Sequence, residues 1–213
     1  MPDVGTQRSS LPLGVVLTGE SSGLHVHSST VFPAGSRIYG PGEASDTLYL
    51  VESGGVRICR FLADGRRLIT AFYLRSETFG LERDDKHHSY AEAFCPTTLK
   101  SVRGTMLHHE NASELFPVAV SCFAQVEEHS MLLGRQSCIE RVAIFLLEMT
   151  KRQSRSSHIA LPMTRIDIAD YLCLTPETLS RVLSRLRTDG VIAFSGLREI
   201  HILKWQTLNK LAS

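Results

Sequence analysis

Glu177, Ser180 and Arg181 lie within about one turn of each other on a helix predicted for residues 175–190. A carboxylate accepts hydrogen bonds, a hydroxyl donates or accepts them, and a guanidinium offers a planar fork of donors. These groups suit base edges in the major groove of DNA, where Arg bonds guanine O6 and N7 and Glu accepts from cytosine N4. Taken alone, the same pattern is equally typical of a solvated helix surface.

Local signals delimit this helix. Thr175 is a suitable N-cap, Pro176 fits the first helical position because its missing N–H is not needed there, and Gly190 follows the last residue. One face is apolar at helical spacing and is expected to be buried, through Leu179, Val182, Leu183 and Leu186. The polar triplet therefore faces outward.

A second short helix is predicted immediately upstream. Thr164 and Asp167 have the spacing of a capping box, and the small Ala169 allows close approach of another helix. Only Cys173 and Leu174 separate the two helices. Two short helices joined by a tight turn predict a helix-turn-helix whose second helix enters the major groove.

The segment after the second helix is predicted to be a β-hairpin. Apolar runs at residues 191–194 and 199–203 flank a short turn that carries Arg198. The module is therefore a winged helix-turn-helix. Arg198 at the wing tip, with Thr164 and Thr175 at the helix starts, completes the candidate DNA contacts.

The first half of the chain has a different sequence pattern. From Leu24 to about Val102, Gly- and Pro-rich turn signals separate short apolar or alternating runs at residues 37–39, 47–51, 56–61 and 68–73. This pattern predicts an antiparallel barrel or roll. Residues 1–23 are polar with little periodicity, so we expect a loosely ordered arm there.

Residues 111–153 repeat apolar side chains, such as Phe123 and Val126, at three- and four-residue intervals. We expect a long helix that buries its stripe against a second copy of the chain, followed by another helix that starts near Cys138. The alternative is a helical hairpin within one chain, broken at Gly134. A polar linker, residues 153–158, leads to the helix-turn-helix.

The predicted fold is therefore α+β. It consists of an arm (1–23), an antiparallel β-roll (24–110), a long dimerisation helix (111–137) and a winged helix-turn-helix (138–213).

Composition and charge agree with this division. Hydrophobic residues make up 43% of the 213 residues, enough for the cores of two modest domains. From Arg135 onward there are 12 of the 23 Lys+Arg and 7 of the 22 Asp+Glu, a balance of +5, which leaves 11 and 15 upstream, a balance of −4. The basic end is the end that carries the candidate recognition helix.

Five cysteines are scattered singly along the chain, with no CxxC pair: Cys59, Cys95, Cys122, Cys138 and Cys173. An odd, dispersed set is typical of a reducing compartment and has no metal-ligand spacing. The N-terminus makes a poor signal peptide, and no stretch approaches the roughly 20 apolar residues of a membrane span. We expect a cytoplasmic protein with no membrane partner.

The order of roll, long helix and winged helix-turn-helix resembles the CRP/FNR superfamily of bacterial transcription regulators. The resemblance covers Leu24 to about Leu203 and is most specific in GRRLITAFYLRSETFGLE (residues 65–82) and DYLCLTPETLSRVLSRLRTDGVI (residues 170–192). Glu177, Ser180 and Arg181 fall on the E-x-x-S-R signature of the FNR-like branch. Within that branch, GRRLITAFYL is similar to the FixK type.

The resemblance implies a partner and a mode of action. It implies binding to double-stranded DNA at a two-fold site of the TTGAT-N4-ATCAA kind, as a homodimer built on the long helix. It also implies contact with RNA polymerase, and activation rather than repression. Arg181 and Glu177 would define a G·C pair in each half-site, and Ser180 would contact a thymine.

Two departures from the family limit what the roll can bind. Members that bind cyclic AMP carry an Arg-Ser pair for the phosphate, whereas the corresponding stretches here read Phe79-Gly80-Leu81-Glu82 and His87-His88-Ser89-Tyr90. Without that bidentate partner, we expect no cyclic AMP binding. Oxygen-sensing members carry an N-terminal cysteine cluster, but the first cysteine here is Cys59, so we expect no iron–sulfur cluster and no other cofactor.

Other functions have weaker support. The sequence shows no nucleophile and base arrangement, no phosphate-binding glycine loop and no metalloprotease helix, so we expect no enzymatic activity. Several histidines, His25, His27, His87, His88, His108 and His109, leave open a metal- or small-ligand-binding roll whose helical C-terminal part makes protein contacts. Carboxylates at a ligand spacing are missing.

Cys173 has two interpretations. Its place in the turn before the recognition helix, near a positive helix end and DNA phosphates, favours a reactive thiol and a redox role. The alternative is a buried, small apolar residue that fills the turn.

Overall fold

A computed structural model of the chain describes residues 25–26, 29–103, 112–153 and 157–212. The strands are β1 (His25–Val26), β2 (Thr30–Phe32), β3 (Arg37–Tyr39), β4 (Thr47–Ser53), β5 (Gly55–Phe61), β6 (Arg67–Leu74), β7 (Thr78–Phe79), β8 (Tyr90–Ala93), β9 (Thr97–Arg103), β10 (His158–Ala160), β11 (Ile192–Phe194) and β12 (Glu199–Ile202). The helices are α1 (Ala112–Leu133), α2 (Cys138–Arg152), α3 (Arg165–Tyr171), α4 (Pro176–Thr188) and α5 (Trp205–Leu211). The arm expected at residues 1–23 lies outside the described residues.

Nine strands form two antiparallel sheets that face each other, which confirms the predicted roll. One sheet has the order β1-β9-β4-β7, with β2 also paired to β9, and the other has the order β3-β8-β5-β6. Side chains from both sheets meet in one core that includes Tyr39, Val51, Val56, Phe79 and Leu99. The four runs recognised in the sequence are β3, β4, β5 and β6.

The turn between β4 and β5 depends on glycine. Gly54 has a φ of +81°, and a Cβ there would collide with the Pro96 carbonyl. At Gly55 an added Cβ would enter the Phe94 ring. The Ser-Gly-Gly turn signal thus marks a place where two backbone segments and a ring approach closely.

The helical region consists of two helices. α1 ends at Leu133, and α2 begins at Cys138 after a short turn that contains Gly134. α2 buries Val142, Leu146 and Met149. α1 leaves its outer apolar side chains exposed, so a helical hairpin within the chain does not cover them.

The C-terminal module has a three-stranded sheet in the order β10-β12-β11 behind α3 and α4. His158, which the sequence placed in a polar linker, instead lies in β10 opposite His201, so that assignment was wrong. The reason is that Ile159 is fully buried, and its burial holds a three-residue strand too short to show alternation in the sequence.

A single hydrophobic core joins the roll to the helix-turn-helix. Ile69 and Phe72 of β6 belong to the same cluster as Ile168 and Tyr171 of α3. The Phe72 and Tyr171 ring centroids are 5.0 Å apart. The roll therefore packs directly on the first helix of the helix-turn-helix.

Within the described residues, no helix combines the length and apolar character that crossing a membrane requires.

Candidate nucleic-acid interface

The first turn of α4 is built as its sequence predicts. Thr175 is the N-cap and its hydroxyl oxygen accepts from the Thr178 N–H at 3.2 Å, with Pro176 as the first helical residue. Leu179, Leu183 and Leu186 are buried along the inner face. The helix ends at Thr188, and Gly190 follows with a φ of +64°.

The opposite face presents the predicted polar triplet. Glu177 and Arg181 are exposed and Ser180 is half-buried. Hydrogen bonds from the Glu177 backbone N–H and from the Thr175 hydroxyl hold the pKa of the Glu177 carboxyl below its usual range. The carboxylate is therefore ionised at neutral pH and acts as an acceptor only.

The predicted capping box at the start of α3 is present. The Asp167 N–H donates to the Thr164 hydroxyl oxygen at 3.1 Å, and the Thr164 backbone N–H donates to Asp167 Oδ2 at 3.1 Å. The Thr164 hydroxyl proton also goes to Asp167 Oδ2, at 2.7 Å. Both donors of Thr164 are thus engaged within α3.

The turn between α3 and α4 is held from outside by two other helices. His129 of α1 lies 2.8 Å, through its Nε2, from the Tyr171 carbonyl oxygen, and Arg141 of α2 donates to the Leu172 carbonyl at 3.2 Å. Cys173 has a φ of +50° and is exposed. The alternative that Cys173 is buried and fills the turn was wrong, because its side chain is exposed.

Arg198 lies in the turn between β11 and β12, where the sequence placed it, and is exposed. Its Nη1 donates to the Pro162 carbonyl at 2.8 Å, and the Leu161 N–H donates to the Arg198 carbonyl at 2.7 Å. The wing is therefore attached to the segment that leads into α3. A guanidinium has five N–H donors, so the bond to Pro162 leaves donors for another acceptor.

Two further basic residues border this surface and were missed by sequence reasoning. Arg165, the first residue of α3, and Arg187, near the end of α4, lie over the Phe194 ring with their guanidinium carbons 5.2 Å and 5.9 Å from its centroid. The sequence signal for them is Phe194, the aromatic residue at the end of β11. It could not be interpreted from the sequence, because only the structure shows that the start of α3 and the end of α4 both lie beside this ring.

Comparison with known proteins follows the same division of the chain. Residues 140–211 match the Crp-like helix-turn-helix domain family, and residues 29–108 match the cyclic nucleotide-binding domain family. The nitrogen fixation regulation protein FixK of Rhizobium meliloti (strain 1021) is 40% identical over 182 residues, which cover 85% of this chain and 86% of that protein. The chain belongs to the CRP/FNR family.

Other relatives agree with this CRP/FNR assignment. The transcriptional activatory protein AadR of Rhodopseudomonas palustris is 33% identical over 171 residues, 72% of each chain. The structure of FixK2 from Bradyrhizobium japonicum is 39% identical, with a TM-score of 0.83, and covers 89% of this chain and 98% of that one. The protein is thus a FixK-like, DNA-binding transcription regulator and not an enzyme, as the sequence predicted.

Several aromatic rings contact one another inside this CRP/FNR roll. His87 is buried and lies on Tyr39, with ring centroids 3.5 Å apart. Phe79 packs on Tyr49 and Tyr73 at 5.2 and 5.3 Å.

The arrangement of the described histidines does not support the metal-binding alternative. Among the described residues, no group of three or more His, Cys, Asp or Glu side chains is arranged to hold a metal ion. His88 bonds Asp84 at 2.9 Å on the surface. The side chains of His25, His27, His108 and His109 lie outside the described residues.

Proposed function

We propose that this regulator binds, as a homodimer, to a two-fold DNA site of the TTGAT-N4-ATCAA kind and activates transcription. The observation that carries the proposal is the presence of two exposed surfaces on one chain. The outer face of α4 offers acceptor, hydroxyl and guanidinium groups that suit base edges. The outer face of α1 offers an apolar stripe that suits a second copy.

The bases are read by the triplet on α4. Arg181 bonds guanine O6 and N7, and the ionised Glu177 accepts from the cytosine N4 amino group of the same base pair. Ser180, one residue before Arg181, contacts a neighbouring thymine. In support, Glu177 and Arg181 are exposed, four residues apart on a helix fixed by its cap and three buried leucines.

The DNA backbone is bound by residues around the triplet. Thr175 and Arg198 are exposed and contact phosphates on either side of the groove. Thr164 contributes by fixing the first turn of α3, because both of its donors are engaged with Asp167. We add Arg165 to the phosphate contacts, since it is exposed beside the wing.

The homodimer forms along α1. Five large apolar side chains on this helix are between 50% and 69% exposed in the single chain, namely Phe116, Val120, Phe123, Val126 and Met131. A contiguous apolar stripe of this kind is unusual on the surface of a monomer. Pairing two such stripes would place the two recognition helices about one turn of DNA apart.

Activation and its control are the third part of the proposal. Contact with RNA polymerase and activation are inferred because AadR, a relative, is named a transcriptional activatory protein.

Cys173 is exposed beside the start of α4, so its oxidation would add bulk and negative charge next to DNA phosphates. We expect no cyclic nucleotide in the roll, because the stretches Phe79-Gly80-Leu81-Glu82 and His87-His88-Ser89-Tyr90 offer no Arg for its phosphate.

Selection of bound sequences from random DNA, with the active fraction sized by light scattering, tests the proposal. Recovery of a two-fold TTGAT and ATCAA motif by a dimer is the expected result. A single half-site, or a motif bound by monomer, would contradict it.

A further inference from the structure

A row of five alternating charges crosses from the roll to the helix-turn-helix. Arg57 Nη2 is 2.8 Å from Glu92 and its Nη1 is 3.1 Å from Asp167. Arg67 Nη2 is 2.6 Å from the same Asp167 oxygen and 2.8 Å from Asp170. We call these residues, Glu92, Arg57, Asp167, Arg67 and Asp170, the ion-pair chain.

The ion-pair chain is shielded from water. The Asp167 side chain is 1% exposed, and the two arginines are 14% and 20% exposed. A carboxylate this deeply buried must be compensated by hydrogen bonds and opposite charge. Its charged partners both come from the roll, while its remaining donors come from Thr164 in its own helix cap.

Asp167 thus has two structural roles. It completes the capping box that starts α3, and it accepts from Arg57 and Arg67 of the roll. The apolar contact of Phe72 with Tyr171 attaches the same helix to β6 without imposing a direction. The two guanidinium forks add direction, because each must meet its carboxylates in a narrow range of geometry.

The orientation of α3 carries over to α4. Ala169 is fully buried where the helices approach, and the Leu174 N–H donates to its carbonyl at 2.9 Å. The two helices therefore move together. A roll that fixes α3 also fixes the direction in which Glu177 and Arg181 face.

We propose that Arg57 and Arg67 are positioning residues for DNA recognition, which hold the helix-turn-helix in its binding orientation through Asp167 and Asp170. In a homodimer the two recognition helices must reach half-sites one helical turn apart, so a loosened α3 would accept other spacings. This consequence for spacing rests on the homodimer proposed above.

The test compares Arg67→Glu with Arg67→Lys in the full-length protein. Arg66→Glu is the matched control, because Arg66 is the neighbouring residue, 76% exposed, and pairs with Asp64 in its own turn. Competition binding uses the palindrome and a version whose spacer is longer by half a helical turn, about five base pairs. Small-angle X-ray scattering of the free proteins gives the maximum dimension.

We expect Arg67→Glu to lose about 5- to 50-fold in affinity for the correctly spaced palindrome, typical of a disrupted coupling between sites. Its preference for the correctly spaced palindrome over the long-spacer version should shrink, and the maximum dimension of the free protein should grow. Arg67→Lys keeps the charge but loses the planar fork, so its preference should lie between those of the wild type and Arg67→Glu. Arg66→Glu should match the wild type. If Arg67→Glu does not fold, Asp170→Asn takes its place, because it leaves the Asp167 cap intact. It should also reduce the spacing preference and increase the maximum dimension.

A merely structural role would lower the active fraction while leaving the spacing preference and the dimension unchanged, and that result overturns the proposal. If the wild type shows no spacing preference, the homodimer on a palindrome fails instead. Scattering then decides the positioning role by itself. An increase in dimension for Arg67→Glu or Asp170→Asn supports the role, and no increase overturns it.

Discussion

His129 of α1 lies flat on Tyr171 of α3, with the two ring centroids 4.0 Å apart and the rings 8° from parallel. The same imidazole donates from Nε2 to the Tyr171 carbonyl at 2.8 Å when its neutral form carries the proton there. The helix that bears the exposed stripe is thus joined directly to the helix-turn-helix. Proton binding to His129 would place a charge at this junction.

Acid should weaken the fold through His129. Burial lowers the pKa of its imidazole below the usual 6.5, although the bond to the Tyr171 carbonyl partly opposes this. Below pH 6.5 the unfolded chain therefore takes up the proton first, and stability falls until the pH passes the folded-state value. The free energy of unfolding, measured in urea between pH 7.5 and 5, should fall less steeply for His129→Gln than for the wild type. His88→Gln, at an exposed position, is the control; equal slopes for all three proteins would contradict the prediction.

Removing the guanidinium of Arg181 should relax base recognition. Arg181→Ala is expected to lose about 1 to 3 kcal/mol on the preferred site and to discriminate less at the guanine. Gel-shift competition against single-base variants of the site measures both effects. Arg185→Ala, one turn further along and 72% exposed, is the control and should keep the base preference. An equal loss on random DNA would mean that Arg181 contacts only phosphate.

A charge in the α1 stripe should separate the dimer. Val126 is 61% exposed, and Val126→Glu would bury a carboxylate against the second copy. Sedimentation should then show monomer, and affinity for the palindrome should fall toward that for a half-site. Val31→Glu places the same change at a 70% exposed position on the roll and should leave the dimer intact. A dimeric Val126→Glu protein would exclude α1 as the interface.

Peroxide should weaken DNA binding through Cys173. Oxidation of this exposed thiol adds bulk beside a phosphate, and further oxidation to a sulfinic or sulfonic acid also adds negative charge. A reductant should restore binding if the product is a sulfenic acid or a disulfide. Cys173→Ser should bind DNA and resist peroxide in a gel-shift titration. Cys138→Ser, half-buried at the start of α2, should remain as sensitive as the wild type. A Cys173→Ser protein that still loses binding to peroxide would end the hypothesis.

A buried leucine of α4 should contribute to stability but not to base preference. Leu179 is fully buried between α4 and its neighbours. Leu179→Ala is expected to lower the free energy of unfolding by about 2 to 5 kcal/mol, because it removes apolar contacts and leaves a cavity. Thermal unfolding measures the loss. The base preference of the remaining folded fraction should equal that of the wild type.

Helix-capping and periodicity rules predicted the structure correctly where it depends on only a few adjacent residues. Thr175, Pro176 and Gly190 delimit α4, and Thr164 with Asp167 forms the capping box, because caps involve atoms only two or three residues apart. Helical periodicity likewise predicted which face of α4 is buried. The candidate base-reading residues could therefore be named from the sequence alone.

Distant contacts were beyond the same rules. Arg57 and Arg67 stand 110 and 100 residues before Asp167, and neither spacing nor residue type indicates that they share one carboxylate. The burial of Ile159 placed His158 in a strand that its polar surroundings concealed. By itself the sequence determined which side chains lie on the outer face of α4, because helix capping and amphipathic periodicity are local. Only the tertiary structure decided what attaches α3 to the roll, because ion pairs and a shared core arise when segments far apart in the chain pack together.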